Sequence, residues 1–157
     1  MLLDNYQQAL QQIFNLSGSL KVPNPRIFWS DMATKAQFTL ANENETIYIN
    51  NTCYVMTNAP KHFLGVLNSK LLEWYFFQIA TNLGQGARFF KQFVELLPIP
   101  QTTTQNQTII NQIIDFVAKI LNTTDENQKQ TLSQQIDQAV YQLYGLTDEE
   151  IKIVEQA

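Results

Sequence analysis

Two polar stretches carry side chains able to do recognition chemistry. Around Gly84 and Gly86 the chain offers Gln85, Arg88 and Lys91. The amide and the guanidinium donate hydrogen bonds in fixed, planar pairs, and the ammonium is a point charge. Such groups suit carboxylates, phosphates or the edges of nucleic-acid bases. The two glycines allow the backbone to come close to whatever is bound. The plain alternative is a surface turn in which Arg88 pairs with an acid. The second stretch, Asp31 to Asn44, presents Lys35, Gln37, Thr39, Asn42 and Asn44. Its plain alternative is a solvated hairpin.

Residues that could catalyse are sparse. His62 is the only histidine and Cys53 the only cysteine, so a Cys/His zinc site of the usual spacing is not expected. A lone Cys fits a reducing cytosol, where it behaves as a small hydrophobe. Gly84-Gln85-Gly86 is not followed by the Lys-Ser/Thr pair of a phosphate loop. Asp148-Glu149-Glu150 falls in a first helical turn, where carboxylates complement the helix dipole. The expectation is a chain that is no enzyme by itself, binds no cofactor or metal, and has no membrane span.

Charge is unevenly spread. From Lys21 to Lys91 seven basic residues outnumber four acids, whereas from Gln92 onward three lysines face nine acids. The net charge of −4 argues against a generic nucleic-acid binder. The distribution is that of a mildly basic middle joined to an acidic end.

The elements expected to position these groups follow from periodicity. Tyr6, Leu10, Ile13 and Phe14 predict a short amphipathic helix. Arg26–Ser30, Gln37–Leu40 and the alternating run Thr46–Thr57, turned at Asn50-Asn51, predict strands. Lys61–Thr81 predicts a heavily buried helix. Gly65 and Asn68-Ser69 are poor mid-helix residues there, marking a break or the close approach of another backbone. Phe93–Ile99, stopped by Pro98 and Pro100, predicts a last strand. Ile109 to Leu121 and Leu132 to Leu143 predict two apolar-faced helices, the second ended by Gly145, and Thr147 with Glu150 predicts a capping box for a final helix. The fold class is α+β: a small mixed or antiparallel sheet on a buried helix, followed by a C-terminal helical hairpin. The expected organisation is residues 1–25 as helix and linker, 26–100 as α+β core and 101–157 as helical extension.

Three blocks in order carry a family pattern. They are Arg26-Ile27-Phe28-Trp29-Ser30-Asp31-Met32 with Tyr48–Tyr54; Leu64–Leu71, which contains Leu67-Asn68-Ser69; and Phe90-Lys91 with Leu97-Pro98-Ile99-Pro100 before a long helix. The tail Val140-Tyr141-Gln142-Leu143-Tyr144-Gly145-Leu146 adds to it. This resembles the TaqI-like C-terminal specificity domain of type IIG restriction–modification enzymes and is similar to the target recognition domains of type I specificity subunits. The resemblance implies an α+β domain that reads double-stranded DNA, with Gln85 and Arg88 toward bases, Lys91 toward phosphate, and Lys35, Gln37, Asn42 and Asn44 as a second set of DNA contacts. The Asn-Pro-Pro-Tyr-type motif of the family's methyltransferase core is not in the chain. The implied partners are therefore a methyltransferase/endonuclease domain or subunit and, through the apolar helix faces, a possible second copy, in a bacterial cytoplasm. The competing reading is a helical protein-interaction or dimerisation module without DNA contact.

Overall fold

The computed structural model describes residues 25–41, 47, 51–80 and 86–156. The expected N-terminal helix, the turn cluster at Asn42–Glu45 and the residues Tyr48–Asn50 lie outside them. Strand β1 is Arg26–Ser30, β2 Met32–Ala33, β3 Thr39–Ala41 and β4 Cys53–Thr57. Strand β1 is central, antiparallel to β3 on one side and β4 on the other, with Phe28 opposite both Thr39 and Val55. Alternation puts Ile27 and Trp29 in the core and leaves Phe28 half-buried on the other face. The chain then steps through Asp31 into β2, which pairs antiparallel with β5 (Ala87–Arg88) in a second, two-stranded sheet.

Helices α1 (His62–Leu67) and α2 (Lys70–Ile79) occupy the stretch where one helix is predicted. The break at Asn68-Ser69 is built by those two side chains. Ser69 adopts an extended backbone, donates its hydroxyl to the Val66 carbonyl at 2.6 Å and accepts the Leu72 N–H at 3.4 Å, so it caps α2. Gly65 answers the other alternative. A Cβ there would stand 2.7 Å from Ile113 Cγ2 and 3.0 Å from Val117 Cγ2, so the glycine lets a later helix lie directly on α1.

One expectation is corrected. Phe93–Ile99 is no strand: Lys91–Val94 form the short helix α3, followed by turns through Leu97. Val94 and Leu97 are buried while Leu96 is 62% exposed, a spacing of three that alternation cannot produce. The backbone bonds run from Val94 to Phe90 and from Leu97 to Val94. A short apolar run does not by itself distinguish the two periods.

Helices α4 (Gln107–Asn122) and α5 (Glu126–Tyr144) form the hairpin, and α6 (Asp148–Gln156) follows. Gly145 takes φ 67°, with Leu146 N–H on the Tyr141 carbonyl and Gly145 N–H on that of Gln142, a Schellman ending. Thr147 and Glu150 exchange the bonds of a capping box. The architecture is α+β with an antiparallel sheet and a helical C-terminal part. No helix among the described residues is long and apolar enough to cross a membrane.

The core is continuous from Ile27 to Val154. Its β end is aromatic: Trp29 stacks on Tyr54 at 5.4 Å, and Phe76 stacks on Phe89 at 4.0 Å. The Trp29 indole N–H donates to the Phe89 carbonyl at 2.8 Å, satisfying a buried donor. The helical end joins through α4 on α1 and through α5 and α6 on α2.

The α2–α5–α6 junction contains a buried acid. Asp137, 7% exposed, accepts the Lys70 N–H at 2.9 Å at the start of α2. Lys70 is ion-paired to Glu155, which also accepts the Tyr141 hydroxyl at 2.8 Å. Desolvation raises the Asp137 pKa from 3.8 to about 6, against the Lys70 amide and ammonium, which pull it down. The folded state therefore holds a proton that the unfolded chain releases near pH 4. Asp137's contribution to stability is full below pH 3.8 and is lost as pH rises through about 6. The loss amounts to on the order of 2–3 kcal/mol. Asp137→Asn keeps an acceptor for Lys70. Urea denaturation from pH 4 to 7 should show the variant gaining on the wild type across that interval. Parallel curves would mean that the carboxyl is already ionised throughout.

Candidate nucleic-acid interface

The β2–β5 ladder decides the geometry of the candidate residues. Met32 pairs with Arg88 and Ala33 with Ala87, so the two polar stretches are joined at residues more than fifty positions apart in sequence. Gly86 makes this approach possible. Its φ is +132°, and a Cβ would lie 2.8 Å from the Ala33 carbonyl oxygen, so both conformation and space require glycine.

Arg88 sits on the ladder with its side chain 35% exposed. Its Nη1 lies 3.0 Å from Asp31 Oδ2, and the guanidinium carbon is 5.1 Å from the Phe90 ring centre. The acid pairing named as the plain alternative is thus present. Asp31 is itself fixed, its N–H on Thr52 and its carbonyl on the Phe89 N–H, each at 2.8 Å. The guanidinium is held by one carboxylate and one aromatic face, which limits its rotamers and leaves part of its donor fork in solvent. Asp31 was not singled out in the sequence as a partner. Its position directly after a strand was the only local signal, and the contact spans 57 residues.

Lys91 opens α3 and pairs with Glu95 at 2.5 Å, both side chains more than half exposed. Such a surface pair is worth little and is easily exchanged for another anion. Tyr54, Phe90, Lys91, Gln92 and Glu95 border a shallow depression here.

Lys35 lies in the bend after β2, and Gln37 in the irregular stretch that leads into β3. Lys35, Gln37 and Thr39 are exposed while Phe38 is buried and Ala36 half-buried, an alternation that turns the polar side chains outward. They flank a groove of about 470 Å³ whose floor includes Leu64, Gly65, Val117 and Ile136. Asn42, Asn44 and Gln85 lie outside the described residues. The structure thus places Lys35 and Gln37 on the segment after β2, Arg88 on β5, the ladder partner of β2, and Lys91 at the start of α3.

His62, the lone histidine, is buried at the start of α1, and its Nε2 has no hydrogen-bond partner among the described residues. Burial lowers its pKa, against a backbone hydrogen bond at Pro100. A neutral ring edge-on to Phe63 at 5.0 Å is a packing element. Cys53 is a free, half-buried thiol at the start of β4.

No curated protein sequence matches the chain. A family profile does: that of the TaqI-like C-terminal specificity domain matches residues 3–99, which include both polar stretches, β1–β5 and α1–α3. The ladder-joined pair of polar stretches therefore lies wholly inside the matched region, and the chain belongs to the TaqI-like C-terminal specificity domain family.

Proposed function

We propose that the chain reads the target sequence on double-stranded DNA for a restriction–modification enzyme and does no chemistry itself. Family membership supports a specificity role, and the observation that carries the mechanism is the β2–β5 ladder. Two stretches rich in Lys, Arg, Asn and Gln, joined by this ladder, can enter a groove together. Direct readout needs planar donor pairs at base edges, with phosphate contacts setting register. In this reading Arg88, Gln37 and Gln85 face base edges, with Asn42 and Asn44 extending the first loop. Lys35 and Lys91 face the backbone. Residues 26–100 read DNA, while the acidic extension 101–157 packs on the body and offers its outer surface to a methyltransferase/endonuclease domain or subunit of type IIG kind, or to a second copy. That partner supplies the S-adenosylmethionine and nuclease chemistry, in the bacterial cytoplasm.

The test begins with enrichment from a pool of duplexes carrying a randomised core, followed by fluorescence anisotropy on the enriched and scrambled duplexes over a salt series. Arg88→Ala should reduce the preference for the enriched duplex by about ten-fold or more, since a bidentate base contact is worth about 1–3 kcal/mol. Lys91→Ala should weaken both duplexes alike and lower the salt slope by about one. Equal effects of the two substitutions on both duplexes would take the base-reading role from Arg88. A folded chain that enriches nothing at low salt favours the interaction-module reading instead.

A further inference from the structure

Phe38 is buried just before β3 begins, where its backbone N–H and C=O need partners. Asn68, at the break between α1 and α2, supplies them. Its Oδ1 accepts the Phe38 N–H at 2.8 Å, and its Nδ2 donates to the Phe38 carbonyl at 2.9 Å and to the Leu64 carbonyl at 2.9 Å. The side-chain amide exchanges two bonds with one residue, as a neighbouring antiparallel strand would. Two residues earlier, Glu73 on α2 accepts the Ala36 N–H at 2.5 Å. The backbone from Ala36 to Phe38 is pinned from the helical side at both ends, and Gln37, between the two pins, is exposed, as is Lys35 before them.

We propose that Asn68, assisted by Glu73, is a positioning residue for sequence reading: it touches no DNA and fixes the segment that presents Lys35 and Gln37. The inference rests on the proposed recognition function. Holding a reading segment in its bound conformation before DNA arrives removes the ordering cost from binding. Loss of the clamp should therefore act through Lys35 and Gln37 and vanish when they are absent.

The experiment is a set of double-mutant cycles on the full chain, read by anisotropy on the duplex that the wild type enriches and on a scrambled one. Asn68→Ala should lower the preference for the enriched duplex about ten-fold, and by less than about two-fold when Lys35 and Gln37 are already alanine. Glu73→Ala should lower it about three-fold and Glu73→Gln, which keeps the acceptor, should restore it. If Asn68→Ala does not fold, the Glu73 pair in the two backgrounds carries the test. Equal losses with and without Lys35 and Gln37, or failure of Glu73→Gln to restore binding, would overturn the positioning role while leaving target recognition intact. A wild type that enriches no duplex overturns recognition and this role together.

Discussion

Val140→Asp should unfold the whole protein, although the substitution lies forty-one residues past the matched region. Val140 has no exposed surface and belongs to the same core as Ile27 and Trp29. A carboxylate at that fully buried position must either take up a proton or draw in water. The cost is at least about 4 kcal/mol, a large share of the roughly 5–15 kcal/mol that holds a domain together. Val140→Ala, which leaves only a small void, should cost about 2 kcal/mol. The two tryptophans, Trp29 and Trp74, both precede Pro100, so their fluorescence reports on the β/α body and, through Trp74 on α2, on its junction with the extension. In urea, fluorescence and far-ultraviolet circular dichroism should give one shared midpoint, lowered by Val140→Ala. Native fluorescence from Val140→Asp with reduced helicity would show that the extension melts by itself.

Gly65→Leu should have an effect of similar size through the opposite fault, too much volume. The first carbon of any side chain meets Ile113 Cγ2 at 2.7 Å, Val117 Cγ2 at 3.0 Å and Ile136 Cγ2 at 3.5 Å. Those methyls belong to buried β-branched side chains on α4 and α5, which have few other rotamers. Leucine can enter only if the hairpin moves off α1, at about 3 kcal/mol or more. Gly65→Ala is the milder measure: about 1 kcal/mol gained in helix propensity works against an overpacking cost of about 1–3 kcal/mol. Ile113→Ala should relieve that cost in a double-mutant cycle on thermal unfolding. An additive pair would mean that α1 and α4 are not in contact at this point.

Most of the architecture was legible because its signals are local. Arg26–Ser30, the two hairpin helices, the Gly145 stop and the Thr147 box each depend on residues within a few positions of one another. Where the reading failed, at Phe93–Ile99, an apolar run ended by two prolines fits either period, and the choice was made by the burial of Val94 and Leu97 against a body that only the fold supplies. The site was legible as a pair of polar stretches and not as a geometry. That these stretches are ladder neighbours depends on Gly86 lying against Ala33. That Arg88 rests on Asp31, and Phe38 on Asn68, depends on contacts spanning 57 and 30 residues. Asn68-Ser69 was visible as an anomaly within a helical pattern. The periodicity could say that something interrupts the helix, but not that the interrupting amide serves another segment.

The close seat of α4 on Gly65 bears on how specificity could be moved between enzymes. The region that matches the family ends at residue 99, yet α4 and α5 roof the glycine face of α1, and Tyr144 donates its hydroxyl to the Pro98 carbonyl at 2.9 Å. A chimaera cut after Pro100 would transplant both polar loops without that roof. Leu64 and the bare glycine face would then open to solvent or clash with whatever helix the recipient provides. Such a hybrid should be recovered largely as aggregate, whereas one that carries the graft on through Gln156 should stay in solution. Recombination between relatives would then be tolerated only at crossover points that keep Gly65 and Ile113 on the same parental segment.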